Sequence, residues 1–212
     1  MARARGVDII GPMSVQAATA DEQLMRAYAG GDATAFETLY DRHAARVWRY
    51  ILRSTGDAAT ADDLAQEVWF SVARQAGQYA PRASAPGLPL ARFTTWLFTI
   101  ARHRVVDHLR ATRPQASLDA PAGDDAGQTL ADTLAAPSGF GPVRRIETRQ
   151  QAAQLLAALD ALPPEQREAF LLQAEADMSV ADIASTTGVP VETARSRLRY
   201  ARGALRRTLE IT

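Results

Sequence analysis

The amino-acid sequence predicts an all-α protein in which a flexible acidic linker joins two small helical domains, the C-terminal one a helix-turn-helix. Apolar residues recur at three- and four-residue steps over several segments, which is the spacing of one helix face. Gly, Pro and Asp residues stand where these segments begin and end. Runs that alternate apolar and polar residues, as strands do, are missing from the sequence.

Start and stop signals order the elements along the chain. Asp21 opens a helix with acids in its first turn, Gly30-Gly31 ends it, and Asp32 is placed to cap the next. Residues 77–92 are rich in Gly and Pro and predict a loop. The other predicted helices are Ala33 to about Ser54, about Ala58 to Gln75, Phe93 to about Thr112, near Arg144 to Leu162, and one opening at Pro163-Pro164. The predicted divisions are a flexible leader at 1–20, a first domain at 21–113, a linker at 114–146 and a second domain at 147–212.

Composition excludes several classes of function. The chain has 24 basic and 24 acidic residues and no Cys. A disulfide framework, a thiolate metal site and a cysteine nucleophile are therefore excluded. All 24 basic residues are Arg, so any phosphate contact comes from Arg, His, hydroxyl groups or backbone N–H groups.

The sequence also lacks signals for a membrane span or for catalysis. No apolar run approaches the roughly 18 residues that span a bilayer, and Gly11-Pro12 interrupts the short one near the start. We therefore expect a cytoplasmic protein without membrane insertion. Its three His residues, His43, His103 and His108, belong to no set that predicts a metal site. We expect no catalytic residue, no metal and no cofactor.

Charge is distributed unevenly although the total is zero. Residues 92–113 hold five Arg and one Asp, and residues 190–212 hold six Arg and two Glu, so each segment carries +4. The linker segment 114–143 holds four Asp and no Arg. Two interpretations remain open: two basic helices that contact one polyanion, or two solvated helix faces.

The last helix separates apolar from basic residues. At about 100° per residue, its outer side is dominated by Arg195, Arg199 and Arg206, with Glu192 and Ser196. Its apolar stripe, within about 80° of arc, comprises Val191, Ala194, Leu198, Ala201, Leu205 and Leu209. This narrow stripe predicts one buried face and one Arg-rich exposed face.

The segment before that helix carries a helix-turn-helix pattern. Ser179 and Asp182 have the spacing of a capping box, and Ile183-Ala184 are predicted to face inward. Gly188 supplies the positive φ of a tight turn, and Pro190 starts the second helix. A short helix, a Gly turn and a basic second helix are typical of a DNA-binding unit. An ordinary helical hairpin is the alternative.

Three motifs together resemble a known family. The first combines residues 31–40 (GDATAFETLY) with 63–69 (DLAQEVW), and the second is 95–103 (TWLFTIARH) followed by Asp107 and Leu109-Arg110. The third combines 162–167 (LPPEQR) with 192–198 (ETARSRL). With these three motifs in this order, the chain resembles the bacterial RNA polymerase sigma factors of the extracytoplasmic-function (ECF) group. The resemblance covers about residues 21–113 and 147–210.

The resemblance implies that the first domain binds core RNA polymerase. The matching positions are Asp63, Leu64, Gln66 and Glu67. The alternatives are a polar helix face and, for Leu64, a core position.

The resemblance also implies that the first domain opens the minus-ten promoter element. Splayed bases need aromatic or guanidinium planes for stacking and polar groups that read their edges. The candidates are Tyr79, Arg82, Phe93, Trp96, Arg102 and His103. Trp96 is equally consistent with a core position, and the family commonly has Asn where His103 stands.

The second domain is implied to read the minus-thirty-five element as duplex DNA. The candidate contacts are Glu192, Thr193, Arg195, Ser196, Arg197, Arg199 and Arg202. Base contact is implied for Arg195, Ser196 and Arg199, and phosphate contact for Arg197 or Arg202. The family often has an anti-sigma partner, which we expect here too.

The chain is thus expected to be an alternative sigma factor that directs transcription initiation. The competing interpretation is a stand-alone helix-turn-helix regulator whose N-terminal domain senses a ligand. Such a sensor needs a concave pocket, and the sequence gives no obvious sign of one.

Overall fold

The computed structural model describes residues 20–80, 92–112 and 142–210, with the side chains of 20–80, 92–112 and 151–208. These residues form α-helices and one short 3-10 helix, and none of them forms a strand. The α-helices are α1 Asp21–Ala29, α2 Ala33–Thr55, α3 Ala58–Gln75, α4 Phe93–Thr112, α5 Pro142–Asp160, α6 Pro164–Ala176, α7 Val180–Thr187 and α8 Val191–Glu210. The predicted all-α class is confirmed. The leader, Arg82 and the greater part of the linker lie outside the described residues.

The predicted helix boundaries follow from local capping. Asp32 accepts a hydrogen bond from the Thr34 amide at 3.0 Å, and Asp57 accepts one from the Thr60 amide at 2.7 Å. Gly56 ends α2 at a φ of 79°, a conformation that glycine adopts without a Cβ clash. These caps satisfy backbone N–H and C=O groups that the helix itself leaves unpaired.

The N-terminal half packs α1, α3 and α4 around α2. The phenol ring of Tyr50 meets Phe98 edge to face, with 5.5 Å between ring centroids. Buried side chains at helical spacing surround this pair, among them Leu39, Val47, Ile51, Val68, Val72 and Leu97. Tyr40 lies off this buried face of α2 and is exposed.

The C-terminal half has the predicted helix-turn-helix. Ser179 accepts a hydrogen bond from the Asp182 amide, and the Asp182 carboxylate accepts one from the Ser179 amide, which completes the capping box. Ile183 and Ala184 are buried, and Gly188 has a φ of 70°. This half therefore holds α8 against α6 and α7 in the arrangement that the sequence predicts.

One expectation for this half needs correction. Val191, placed on the apolar stripe of α8, is 43% exposed because the first turn of the helix extends beyond the hydrophobic cluster. Ala194, Leu198, Ala201 and Leu205 are buried as predicted, whereas the side chain of Leu209 lies outside the described residues. Helix α5 begins at Pro142, close to the predicted start near Arg144, since Pro is tolerated in a first helical turn.

The two halves lie against each other. Helix α6 contacts both α2 and α4, and one hydrophobic cluster includes buried residues from both halves. No helix of the described part is long and apolar enough to cross a membrane.

Candidate functional site

Helix α3 presents an exposed strip at positions three and four residues apart. Asp63, Gln66, Glu67 and Phe70 are all exposed, and this spacing puts them on one side of the helix. Phe70 is 58% exposed, which is unusual for a side chain of its size. Leu64 points the other way and is buried in the core. Three of the four predicted polymerase-binding residues therefore share a surface, and Leu64 supports it from beneath.

A neighbouring helix contacts one acid of this strip. Arg104 of α4 donates to Ser71 Oγ at 2.9 Å, and another nitrogen of its guanidinium lies 3.7 Å from a Glu67 oxygen. Ser71 is fully buried, so this hydrogen bond anchors the guanidinium beside Glu67. The motifs did not single out Arg104, although it falls within a basic stretch of the sequence.

Three aromatic rings meet where the chain enters α4. The ring centroid of Tyr79 lies 5.1 Å from that of Trp96 and 6.0 Å from that of Phe93. The Phe93 amide donates to the Glu22 carboxylate at 2.9 Å, so α1 caps the start of α4. The structure thus brings together three of the six residues predicted to bind the minus-ten element.

Members of this aromatic group differ in accessibility. Phe93 is fully buried beneath Tyr79 and Trp96, which are both half-buried. Phe93 therefore supports the group in this conformation and offers no exposed ring face. Burial, assisted by the nearby Glu22 carboxylate, raises the pKa of Tyr79 to about 12. Its hydroxyl has no hydrogen-bond partner among the described residues.

Arg102 and His103 lie further along α4. His103 is exposed, whereas Arg102 is half-buried and its Nε donates to the Glu168 carboxylate of α6 at 2.8 Å. Of the two predicted contacts, His103 is therefore the more accessible to solvent. The acidic partner of Arg102 could not be foreseen, because it is 66 residues away in the sequence.

The outer side of α8 carries the residues predicted to contact duplex DNA. Glu192, Arg195, Arg199 and Arg202 are exposed, and Thr193, Ser196 and Arg197 are half-buried. Arg195 pairs with Glu192 one turn away, and the Arg199 guanidinium lies 5.1 Å from the ring centroid of Tyr200. Arg202 donates to the side chain of Gln173 on α6. The predicted contacts therefore follow one helix, and four of them are exposed.

A cleft of about 940 Å³ lies between the two halves. One wall comes from α2 and α3 and includes Gln66 and Phe70, while the other comes from α5 and α6 and includes Leu156 and Phe170. Local sequence patterns do not predict this cleft, since it forms only where helices distant in the sequence meet. Its wall on α3 includes part of the exposed strip.

The described residues contain no group of three or more His, Asp or Glu side chains placed to hold a metal ion.

Comparisons with known proteins identify both halves. Residues 39–115 match the Sigma-70 region 2 family, and residues 152–205 match the family described as Sigma-70, region 4. The chain is 36% identical to the ECF RNA polymerase sigma factor SigL of Mycobacterium tuberculosis, over 86% of this chain and 93% of that protein. It is 34% identical to the RNA polymerase sigma factor CarQ of Myxococcus xanthus, over 87% of this chain and 95% of that protein.

A solved structure has the same fold. It is the sigma factor RpoE of Bartonella quintana, determined in complex with the anti-sigma factor NepR. The match has a TM-score of 0.55 at 19% identity and covers 83% of this chain and 97% of that one. Because regions 2 and 4 follow each other in one chain that aligns with ECF sigma factors over most of their length, the chain belongs to the ECF group of the sigma-70 family and is an alternative sigma factor that directs transcription initiation.

Proposed function

We propose that the exposed strip of α3 binds core RNA polymerase, with Asp63, Gln66 and Glu67 as polar contacts and Leu64 as their buried support. The single observation that carries this proposal is the exposure of these polar residues and of Phe70 along one side of the helix. A large exposed aromatic side chain ringed by polar residues is typical of a protein interface.

The test is a double substitution, Gln66→Ala with Glu67→Arg. It removes an amide contact and reverses a charge on an exposed surface, so the fold is expected to survive. Affinity for core polymerase should fall about tenfold or more, since this corresponds to only about 1.4 kcal/mol. The measurement is a pull-down with purified core enzyme, alongside a circular dichroism spectrum.

The matched control is Asp41→Arg, a charge reversal at an exposed residue of α2 outside the strip. Its affinity for polymerase should stay within twofold or so of the unaltered chain. Equal losses in the control and in the double variant would contradict the assignment of the strip.

The aromatic group at the start of α4 is proposed to bind the opened minus-ten element. Tyr79 and Trp96 offer half-buried rings for a splayed base, Phe93 supports them, and Arg102 and His103 supply polar contacts further along. Arg82 is assigned to the same element on sequence alone.

Helix α8 is proposed to bind the minus-thirty-five element as duplex DNA. Its first turns carry Glu192, Thr193, Arg195 and Ser196, where the recognition helix of a helix-turn-helix meets base edges. Arg197, Arg199 and Arg202 continue along the helix. Bidentate guanidinium contacts to guanine account for specificity, and phosphate contacts account for affinity.

The protein is further proposed to act without catalysis, metal or cofactor, in the cytoplasm, where it meets core polymerase and DNA. The protein is also proposed to bind an anti-sigma factor. Support for that partner comes from the family, in which the RpoE of Bartonella quintana forms such a complex.

A further inference from the structure

The first two acids of α1 both reach the aromatic group at the start of α4. Glu22 accepts a hydrogen bond from the Phe93 amide at 2.9 Å, although the two residues are 71 positions apart. Asp21 lies 2.7 Å from His43 Nε2, and the His43 ring packs against Phe93 with 5.6 Å between ring centroids. Phe93 is therefore fixed at its backbone by one acid and at its ring through the other.

Glu22 stabilises a helix other than its own. Its place in the first turn of α1 suits the dipole of that helix, but its carboxylate binds the first amide of α4. The first amides of an α-helix have no partner within the helix. Because Phe93 is fully buried, its amide needs a partner from the protein. The cap of α4 is thus supplied by a side chain of α1.

The capped residue supports the two rings that are proposed to bind a splayed base. The ring centroid of Phe93 lies 6.0 Å from that of Tyr79 and 5.9 Å from that of Trp96, and those two rings are 5.1 Å apart. Phe93 and Trp96 are three residues apart in α4, so they lie on the same side of the helix. A displacement of the first turn of α4 would therefore move Trp96 away from Tyr79.

Helix α1 is itself fixed to the N-terminal half, so it can act as a support. Met25 is fully buried, and the Asp21 carboxylate accepts from Arg42 at 2.7 Å. The helix contacts α4 and also the short 3-10 helix that precedes Tyr79. In addition to the larger effect of burial, the Glu22 carboxylate raises the pKa of the Tyr79 phenol, so these side chains are near each other. Both segments that form the aromatic group thus border α1.

We infer that Glu22 is a positioning residue for single-stranded DNA: by capping α4 from α1, it keeps Trp96 against Tyr79 in the arrangement on which a splayed base stacks. This inference rests on the proposed role of the aromatic group in binding the opened minus-ten element. Glu22 acts through Phe93 and makes no contact with DNA. Its negative charge alone would repel DNA, so positioning and repulsion predict opposite effects when the carboxylate is removed.

The first part of the test measures binding of a fluorescent single-stranded DNA oligonucleotide of mixed sequence to the full chain. Glu22→Ala removes the cap and should weaken binding about threefold to tenfold, since it disturbs a ring on which a base stacks. Glu22→Gln keeps an oxygen that accepts from the Phe93 amide, and should bind within about twofold of the unaltered chain. The matched control is Glu37→Ala, which removes the same charge from an exposed position on α2 and should also stay within about twofold.

The second part observes Trp96 directly by fluorine NMR. The chain has three Trp residues, so labelling with 5-fluorotryptophan gives three resonances, which Trp96→Phe and Trp48→Phe assign. In Glu22→Ala the Trp96 resonance should shift or broaden, while that of Trp48 keeps its position. In Glu22→Gln the Trp96 resonance should stay close to its original position, because the cap is retained.

Several results would overturn the inference. Binding by Glu22→Ala that is equal to or tighter than that of the unaltered chain would leave Glu22 as a source of repulsion only. A Trp96 resonance that moves equally in Glu22→Ala and Glu22→Gln would mean that the charge acts on the ring rather than the cap. In a Trp96→Ala background, Glu22→Ala should cause little further loss, and a loss of full size there would place its effect elsewhere.

The proposed function fails in a different way. If Trp96→Ala alone leaves the affinity for the oligonucleotide unaltered, the proposed DNA contact of the aromatic group is wrong, even where the fluorine spectrum shows that Glu22 positions the ring. Should Glu22→Ala not fold, Glu22→Asp withdraws the carboxylate by one methylene group and keeps its charge. That variant should weaken binding and move the Trp96 resonance in the same way, and an unaltered spectrum and affinity would overturn the inference.

Discussion

Arg199 and Arg206 lie on the same exposed side of α8, seven residues apart. Arg199 is nearer the N-terminal part of the helix, where a recognition helix contacts base edges, and Arg206 is two turns further along. Arg199→Ala should therefore relax the preference at one or two positions of the upstream element, at about 1–3 kcal/mol of discrimination. Arg206→Ala should weaken binding evenly, and lower its salt dependence by at most about one counterion.

The measurement for this pair is binding of the full chain to duplexes with single-base changes, at two salt concentrations. Arg206→Ala serves as the matched control, since it removes the same group from the same face. A loss of affinity that is equal for every duplex would make Arg199 a phosphate contact and leave specificity to Arg195, Ser196 or the shape of the DNA.

At single positions, the sequence predicted the kind of contact a side chain can make better than it predicted whether that side chain is exposed. The polar residues Gln66 and Glu67 are exposed as their surroundings on α3 suggest. Phe93, by contrast, is an aromatic residue at the start of a helix, and its ring is buried because Tyr79, Trp96 and His43 pack against it. Helical periodicity assigns a side chain to a face, but other helices determine whether that face is covered.

The capping box of α7 gives a prediction at the scale of one helix. Ser179 satisfies the Asp182 amide, and α7 has only 8 residues, so it depends on its cap and on packing. Ser179→Ala should destabilise the protein by about 1 kcal/mol, whereas Ser179→Asp should keep most of the stability. The measurement is the free energy of unfolding in urea. Identical losses for both variants would mean that the Ser179 hydroxyl stabilises α7 by something other than capping.

Helix α1 is attached to α2 through Asp21. One oxygen of its carboxylate accepts from Arg42 at 2.7 Å, and the other lies 2.7 Å from His43 Nε2, which is buried. Burial raises the pKa of Asp21, but the hydrogen bonds and charges of His43 and Arg42 together lower it below 3.8. The carboxylate therefore prefers its ionised form in the folded state.

The stability that Asp21 contributes should depend on pH with a definite sign. It is fully present above the unfolded pKa of 3.8 and is lost as the pH falls through the lower folded value, because the unfolded chain binds the proton first. Asp21→Asn should lower the unfolding midpoint in urea near neutral pH and flatten its fall below about pH 4. The control is Asp41→Asn, which removes the charge of an exposed acid on α2, one turn after Glu37. If Asp21→Asn leaves the pH dependence of the unfolding midpoint unchanged, other carboxylates are responsible for the acid sensitivity.

Helix boundaries could be predicted from the sequence because their signals are local. Asp32, Ser179 and Gly188 each act within four residues of a helix end, and each occupies the predicted place. The start of α5 at Pro142 likewise agrees with the predicted start near Arg144, and a Pro in the first turn is compatible with a helix.

For the whole molecule, the sequence predicted two helical halves but not their docking. Arg49 and Glu175 are separated by 126 residues, and either one taken alone is an ordinary charged residue on a helix surface. Their pairing depends on how α6 lies against α2, which no local pattern specifies. The cleft between the halves escaped prediction for the same reason.

The linker gives the last prediction, which concerns the distance between the two DNA-binding halves. Residues 114–140 contain few large apolar side chains, so deleting about 15 of them should leave both halves folded, with an unchanged helical signal and melting temperature. Promoter use should nevertheless fall, because α4 and α8 must reach two elements at a fixed spacing, and a shortened tether limits the separation they can adopt. The measurement is transcription with core polymerase on a promoter of natural spacing.

As a control, the same number of linker residues is replaced by a Gly/Ser segment of equal length, which should preserve most promoter use. A melt in which the deletion unfolds either half would show that the linker contributes to the core, whereas equal losses in the deletion and the replacement would mean that its acidic sequence, rather than its length, serves initiation.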